Sequence, residues 1–217
     1  KTGDLEKVTR GEETYLRLTA RGYNAVHRDF PVLFLQNKPW DGKWRIVAFD
    51  IAEINHLLRQ TLREKLKNLG FGMLQKSIWL TPHDIIADFR DFLEYHHLED
   101  SVYAFETGDL LAGDEKELAT KVWKLKKLNQ TYESLLDEIN MLQQPSIVIS
   151  DRSKQLKAKV TNKMQRSRYN SKIKVLKNRY LKLFLSDPCL PKELLPDDWA
   201  GETVRGKIRE LKSDKIN

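Results

Sequence analysis

Between Trp44 and Thr107 the spacing of the apolar residues alternates between that of a strand and that of a helix, and the order of the changes leaves few folds open. The run "WRIVAFD" is almost continuously apolar, the pattern of a strand covered on both faces. Ile54, Leu57, Leu58, Leu62, Leu66 and Leu69 then recur at steps of three and four, which predicts an amphipathic helix stopped by Gly70. Phe71–Leu74 and Ser77–Thr81 are short extended runs around Gln75 and Lys76, and they read as a tight hairpin. Thr81-Pro82-His83-Asp84 has the form of a capping box with proline at the first helical position. A second helix carrying Ile85, Ile86, Phe89, Phe92 and Leu93 is expected to start there, and Ser101–Thr107 closes the series as a strand.

The order β-α-β-β-α-β is the ferredoxin-like plan, so the fold class is α+β. Two helices cover one face of such a sheet and leave the other bare. Sheet-to-sheet pairing of two copies keeps that face from water, and a homodimer is expected.

The flanks are organised differently. Upstream, "DLEKVTRGEETYLRLTARG" reads as a hairpin turned at Gly11, with Tyr15, Leu16 and Leu18 favouring strand, followed by a helical start. Downstream, Leu118, Val122, Leu125, Tyr132, Leu135, Leu136, Ile139 and Leu142 form one stripe, predicting a single helix from about Asp114 to Leu142. "QQPSIVISDRS" breaks it, and a basic helix follows with Ile173, Leu176, Tyr180, Leu183 and Phe184 on one side. The proline-rich "DPCLPKELLPDDWAGE" interrupts helix again before a last short one near Thr203–Leu211. The expected boundaries are 1–38 for the hairpin region, 39–110 for the ferredoxin-like dimerisation domain and 111–217 for a helical C-terminal region.

Charge adds a functional constraint. Arg152 to Lys182 carries 12 Lys and Arg and no Asp or Glu, which exceeds the whole chain's net +7, so the remainder is net negative. A local basic block is what a polyphosphate partner selects through counterion release, and nucleic acid is the expected partner class. One cysteine, Cys189, excludes an internal disulfide and a cysteine-based zinc cluster. The sequence shows no membrane-spanning apolar run and no signal-peptide pattern, so a cytoplasmic location is expected.

The phrases "WDGKWRIVAFDIAE", "LREKLKNLGFGMLQKSIWLTPHD", "ATKVWKLKKLNQTYESLL" and "DPCLPKELLPDDWAGE" resemble, in that order, the central and C-terminal parts of PaaX-type transcriptional regulators. The resemblance runs from about Leu16 to the C-terminus, and the basic stretch Arg152–Lys172 is unusual within it. It implies a DNA-binding repressor, in some members released from DNA by an acyl-CoA-type effector. The phrase "LRLTARG" is also similar to the segment that follows the wing of winged-helix domains. That likeness makes 1–38 the remnant of a winged-helix domain and sets Arg17, Arg21 and Arg28 beside DNA phosphates. In the basic block, Arg166, Arg168, Lys172, Lys174 and Lys177 are the candidate backbone contacts, since Tyr169 is the only aromatic residue interleaved among them.

The central domain in turn resembles the small CRISPR-associated adaptation endonuclease, whose first strand also ends in aspartate. Two such carboxylates, one per protomer, are proposed there to hold a divalent metal, and Asp50 occupies the matching place. On that alternative reading Asp50 is a catalytic and Mg²⁺-binding residue of an endonuclease or spacer-acquisition component. The competing structural reading makes Asp50 the N-cap of the following helix, with Glu53 three residues on. The leading reading requires no cofactor. His96 and His97 fit a solvent-facing helix end, Cys189 a packed thiol, and Trp40, Trp44, Trp79, Trp123 and Trp199 core anchors, with a pocket-lining role open for Trp199.

Overall fold

The computed structural model describes residues 3–11, 13–29, 31–35, 38–108, 110–143 and 155–211. They fall into two compact units, Lys1–Trp123 with Pro188–Leu195, and Lys124–Asp187 with Pro196–Asn217.

The first unit begins with the expected hairpin, β1 (Leu5–Arg10) paired antiparallel with β2 (Glu13–Leu18), followed by α1 (Ala20–Asp29). Its centre is the sheet of β3 (Trp44–Phe49), β4 (Gly72–Gln75), β5 (Ile78–Thr81) and β6 (Val102–Thr107), with α2 (His56–Asn68) after β3 and α3 (Ile86–His96) after β5. The strand order β4-β5-β3-β6, with every neighbouring pair antiparallel, is that of a ferredoxin-like sheet. Strand alternation sends Val47, Phe49, Trp79 and Val102 into one core with Leu62, Leu66 and Leu69 of the α2 region and Phe89 of α3. The three leucines are fully buried, and each contributes about 2 kcal/mol by leaving water.

The opposite face of the sheet is divided. At one end Trp123 lies over it, stacked on Trp44 at 6.2 Å, with its Nε1–H donating to the Gly70 carbonyl at 3.3 Å. Gly72 is required beneath it: a Cβ there would sit 2.2 Å from Val122 Cγ1 and 2.6 Å from Trp123 Cε2. At the other end Tyr103 and Phe105 stand 60% and 51% exposed, paired across the strands with Ala48 and Ile46.

Two helix starts differ from the expected ones. Thr81 belongs to β5, and its hydroxyl accepts from the His83 backbone N–H at 3.3 Å inside a turn; α3 starts only at Ile86, without a side-chain cap. Asp50 caps nothing either. The 3-10 turn Glu53–Asn55 has Ala52 at its N-cap and α2 has Asn55, both without a side-chain cap bond. Ala52 is extended at φ −52° and ψ 147°, and the helical turn begins only at Glu53, three residues past Asp50.

The single helix expected over 114–142 is two. Asp114 caps α4 (Glu115–Val122) by accepting from the Glu117 N–H at 2.9 Å, and α5 (Leu125–Gln143) follows after Lys124 takes a left-handed φ of 54°. The second unit holds α5, α6 (Gln155–Leu185) and α7 (Gly201–Glu210). Tyr132, Leu135 and Ile139 of α5, Ile173 and Leu176 of α6, and Val204 and Ile208 of α7 form its core. The expected break between α5 and α6 lies mostly outside the described residues.

Candidate nucleic-acid interface

The hairpin arginines and the basic helix present their charge differently. Arg17 reaches across the hairpin to Glu6 at 2.8 Å, Arg21 lies 3.3 Å from Asp4, and Arg28 bonds its neighbour Asp29 at 2.8 Å. All three side chains are well exposed, and each already faces an acid. Solvent-exposed pairs of this kind are worth about 0 to 1 kcal/mol, so a phosphate can displace the carboxylate at small cost. The pairing with Arg28 also holds the Asp29 carboxyl below its ordinary range.

On α6 the exposed cations Arg168, Lys172, Lys174 and Lys177 have no carboxylate partner among the described residues. Arg179, on the same helix, is held by Glu138 of α5. The side chain of Arg166 lies outside the described ones.

Asp50 is exposed at the end of β3. Its backbone N–H donates to the Ser101 carbonyl at 3.0 Å, while the N–H of Phe49 donates to Ser77 at 3.0 Å. These bonds fix the strand end between two turns and leave the carboxylate in solvent. Among the described residues no group of three or more His, Cys, Asp or Glu is arranged to hold a metal ion. His97 ends α3 in a left-handed conformation at φ 53° and is exposed, and His96 packs against Phe92 at 4.5 Å.

Sequence reasoning singled out neither the polar cluster around the buried Arg45 nor the partners of the Asp187–Gly201 phrase. Arg45, 3% exposed, bonds both oxygens of Asp41 at 2.9 and 2.5 Å and the Pro82 carbonyl at 3.2 Å, and its Nε lies 3.0 Å from Glu106. These partners hold Asp41 and Glu106 below the ordinary carboxylate range, through Arg45 for Asp41 and chiefly through Lys43 for Glu106. Beside them His83 is buried with Nε2 unpartnered, and desolvation pushes its pKa down to about 4. Cys189, expected as a packed thiol, is buried in the same unit.

In the second unit the Tyr132 hydroxyl donates to Asp187 Oδ2 at 2.7 Å, and Trp199 packs edge-on against the Tyr132 ring at 5.4 Å. Asn129 receives the Ala200 N–H at 2.8 Å and donates to the Asp198 carbonyl at 3.2 Å. Gly201 follows because a Cβ would come within 2.6 Å of Trp199 Nε1. These bonds clamp the two ends of the conspicuous phrase, Asp187 and Asp198–Gly201, onto α5. Tyr132→Phe removes one donor from a buried carboxylate and is expected to lower unfolding stability by about 2 kcal/mol. Urea denaturation followed by tryptophan fluorescence reads the change, and an unaltered midpoint would contradict the clamp.

Residues 37–119 match the family described as "PaaX protein central Cas2-like domain", and residues 123–215 match "PaaX-like protein C-terminal domain". Over 212 residues the chain is 28% identical to the transcriptional repressor PaaX of Escherichia coli (strain K12). The match takes in 94% of this chain and 62% of that protein, so the chain spans less than two thirds of its relative's length. The fold is similar to the solved structure of the uncharacterized protein Rv0674 from Mycobacterium tuberculosis, with a TM-score of 0.60 at 21% identity, covering 96% of this chain and 73% of the other.

Proposed function

The chain belongs to the PaaX family, and from that membership we propose that it acts in a DNA-binding transcriptional repressor that works as a homodimer. The observation that carries the reading is the pair of family domains in tandem over 37–215, together with a repressor as the curated relative. The bare end of the sheet around Tyr103 and Phe105 supports the dimer, because adjoining exposed aromatic residues on a sheet face mark an interaction surface.

The hairpin supports a wing. Leu5 pairs with Leu18 and Lys7 with Leu16, so one of its faces is apolar, and Leu5, Leu16 and Leu18 are all exposed. On this reading that face packs on a DNA-reading head and Arg17, Arg21 and Arg28 lie along the phosphates, where they set position and not sequence. Repression is steric, in the cytoplasm, and release by an acyl-CoA-type effector belongs to the same proposal with no residue of this chain assigned to it.

A second reading rests on Asp50, whose carboxylate is free of any capping duty. A metal-dependent endonuclease would need the identical residue of another copy to complete its ligands. Both readings meet in one experiment. Selection of bound duplexes from a random pool by the natural protein is expected to enrich one sequence, and Asp50→Asn is expected to leave that enrichment unchanged. Cleavage of DNA that requires Mg²⁺ and disappears in Asp50→Asn would replace the repressor with the nuclease, and an unenriched pool would remove specific repression.

A further inference from the structure

We propose that α6 is a second, sequence-independent contact for double-stranded DNA, separate from the head that reads an operator. The helix runs from Gln155 to Leu185, about 46 Å at 1.5 Å per residue. Among its described side chains, Ile173 and Leu176 are buried, with Tyr169, Tyr180 and Leu183 partly buried against the same core. Stepping around the helix at 100° per residue from that stripe, Ser167, Ser171, Lys174, Asn178 and Lys182 fall on the outermost line, which ends in the exposed Leu185. Arg168 and Lys172 fall on one flank and Lys177 on the other. A straight, exposed line of small polar residues with cations on it and to either side suits a rod lying along two rows of phosphates.

The same placement decides among polyanions. Single strands are gripped by stacking on exposed aromatic rings, and Tyr169, Tyr180 and Phe184 are all half-buried, with Tyr180 and Phe184 stacked on each other at 5.9 Å. A membrane surface calls for a continuous apolar face. Val175, Leu181 and Leu185 are exposed, but only Leu181 and Leu185 adjoin, as i,i+4 neighbours, and Asn178 and Lys182 part them from Val175, so no continuous apolar face forms. An acidic protein has no regular array to match 12 cations without an intervening acid between Arg152 and Lys182. The duplex backbone does.

The contact goes beyond operator recognition and does not require it. The 217-residue chain itself is expected to bind a random-sequence duplex of about 30 base pairs, measured by fluorescence anisotropy over a salt series. With Arg168, Lys172, Lys174, Lys177 and Lys182 each meeting a phosphate, log Kd against log salt has a slope of about 4 to 5. The triple variant Lys172→Gln/Lys174→Gln/Lys177→Gln is expected to flatten that slope by about 2.7 and to weaken low-salt binding at least tenfold on every duplex alike. Arg168→Gln/Lys182→Gln gives an independent variant with a smaller loss in the same direction, and circular dichroism verifies that both keep their helices. Lys126→Gln/Lys127→Gln on α5 should leave the slope as it is. The proposal is overturned if the chain binds no duplex, if the triple variant keeps the wild-type slope, or if single-stranded DNA or polyglutamate binds as tightly as duplex. Loss of operator selection in the natural protein would leave these measurements untouched, so the two readings fail separately.

Discussion

Tyr103→Glu/Phe105→Glu is expected to convert a homodimer into a monomer that is otherwise folded. The two residues stand on β6 in adjacent outward positions, level with Ala48 and Ile46 of β3, and those in turn face Ile78 and Leu80 of β5. Leu80 is already buried and Ala48, Ile46 and Ile78 are half-buried, so a partner sheet that covers Tyr103 and Phe105 covers most of the bare end. A symmetric dimer counts each substitution twice. Removing four aromatic side chains from an interface forfeits about 6 kcal/mol or more, which weakens dimerisation roughly ten-thousand-fold, and the four new carboxylates resist being buried besides. The core is on the other side of the sheet, where Val47, Phe49 and Val102 are unaffected, so the monomer should keep its thermal transition. Sedimentation velocity over a wide concentration range separates the outcomes. If both proteins sediment as dimers, the sheet face is not the interface; if both are monomers at every concentration, the dimer itself is refuted.

The sheet was legible because its determinants are local. Apolar spacing of two against three to four assigned β3, α2 and the β4–β5 hairpin, and the strand order followed from the element order. The helix split at Trp123-Lys124 was not legible for the opposite reason: Val122, Trp123 and Leu125 are all apolar, and no glycine or proline marks the break. What turns the chain is tertiary, the demand that Trp123 cover Gly72 and Trp44. The misplaced starts of α2 and α3 have a common cause as well. Asp50 and Thr81 each end a strand, and the chain needs several further residues to climb from the sheet edge to the helix layer, so a cap-like residue directly after a strand is spent on a turn or left in solvent. For the candidate interface, the sequence located the cations but not their partners. Nothing in the spacing told that Arg17 and Arg21 face acids while, among the described residues, Lys172, Lys174 and Lys177 have no carboxylate partner, because Glu6 and Asp4 are brought in by pairing and packing.

Mild acid is expected to destabilise the first unit through His83. The side chain is 4% exposed, its Nε2 has no partner, and desolvation is the main force that pushes its pKa from 6.5 down to about 4. Arg45 and Lys38, the cations that face it, push the same way, and hydrogen bonding with the backbone of Pro188 and Cys189 opposes them. Above pH 6.5 the ring is neutral whether the chain is folded or not, and the native state keeps its full stability. Between 6.5 and 4 the unfolded chain takes up a proton that the folded one refuses, so stability falls by about 1.4 kcal/mol per pH unit and by about 3 kcal/mol in all. Asp41 and Glu106 are lowered from 3.8 and 4.5, and their stabilisation is lost only as pH falls below those values, so the window from 4.5 to 6.5 isolates the histidine. His83→Gln keeps polar atoms in place and removes the titration, and its unfolding free energy should be nearly flat across that window. A wild-type slope in His83→Gln would reject the assignment, as would a His83 ring resonance in the folded protein that titrates above pH 6.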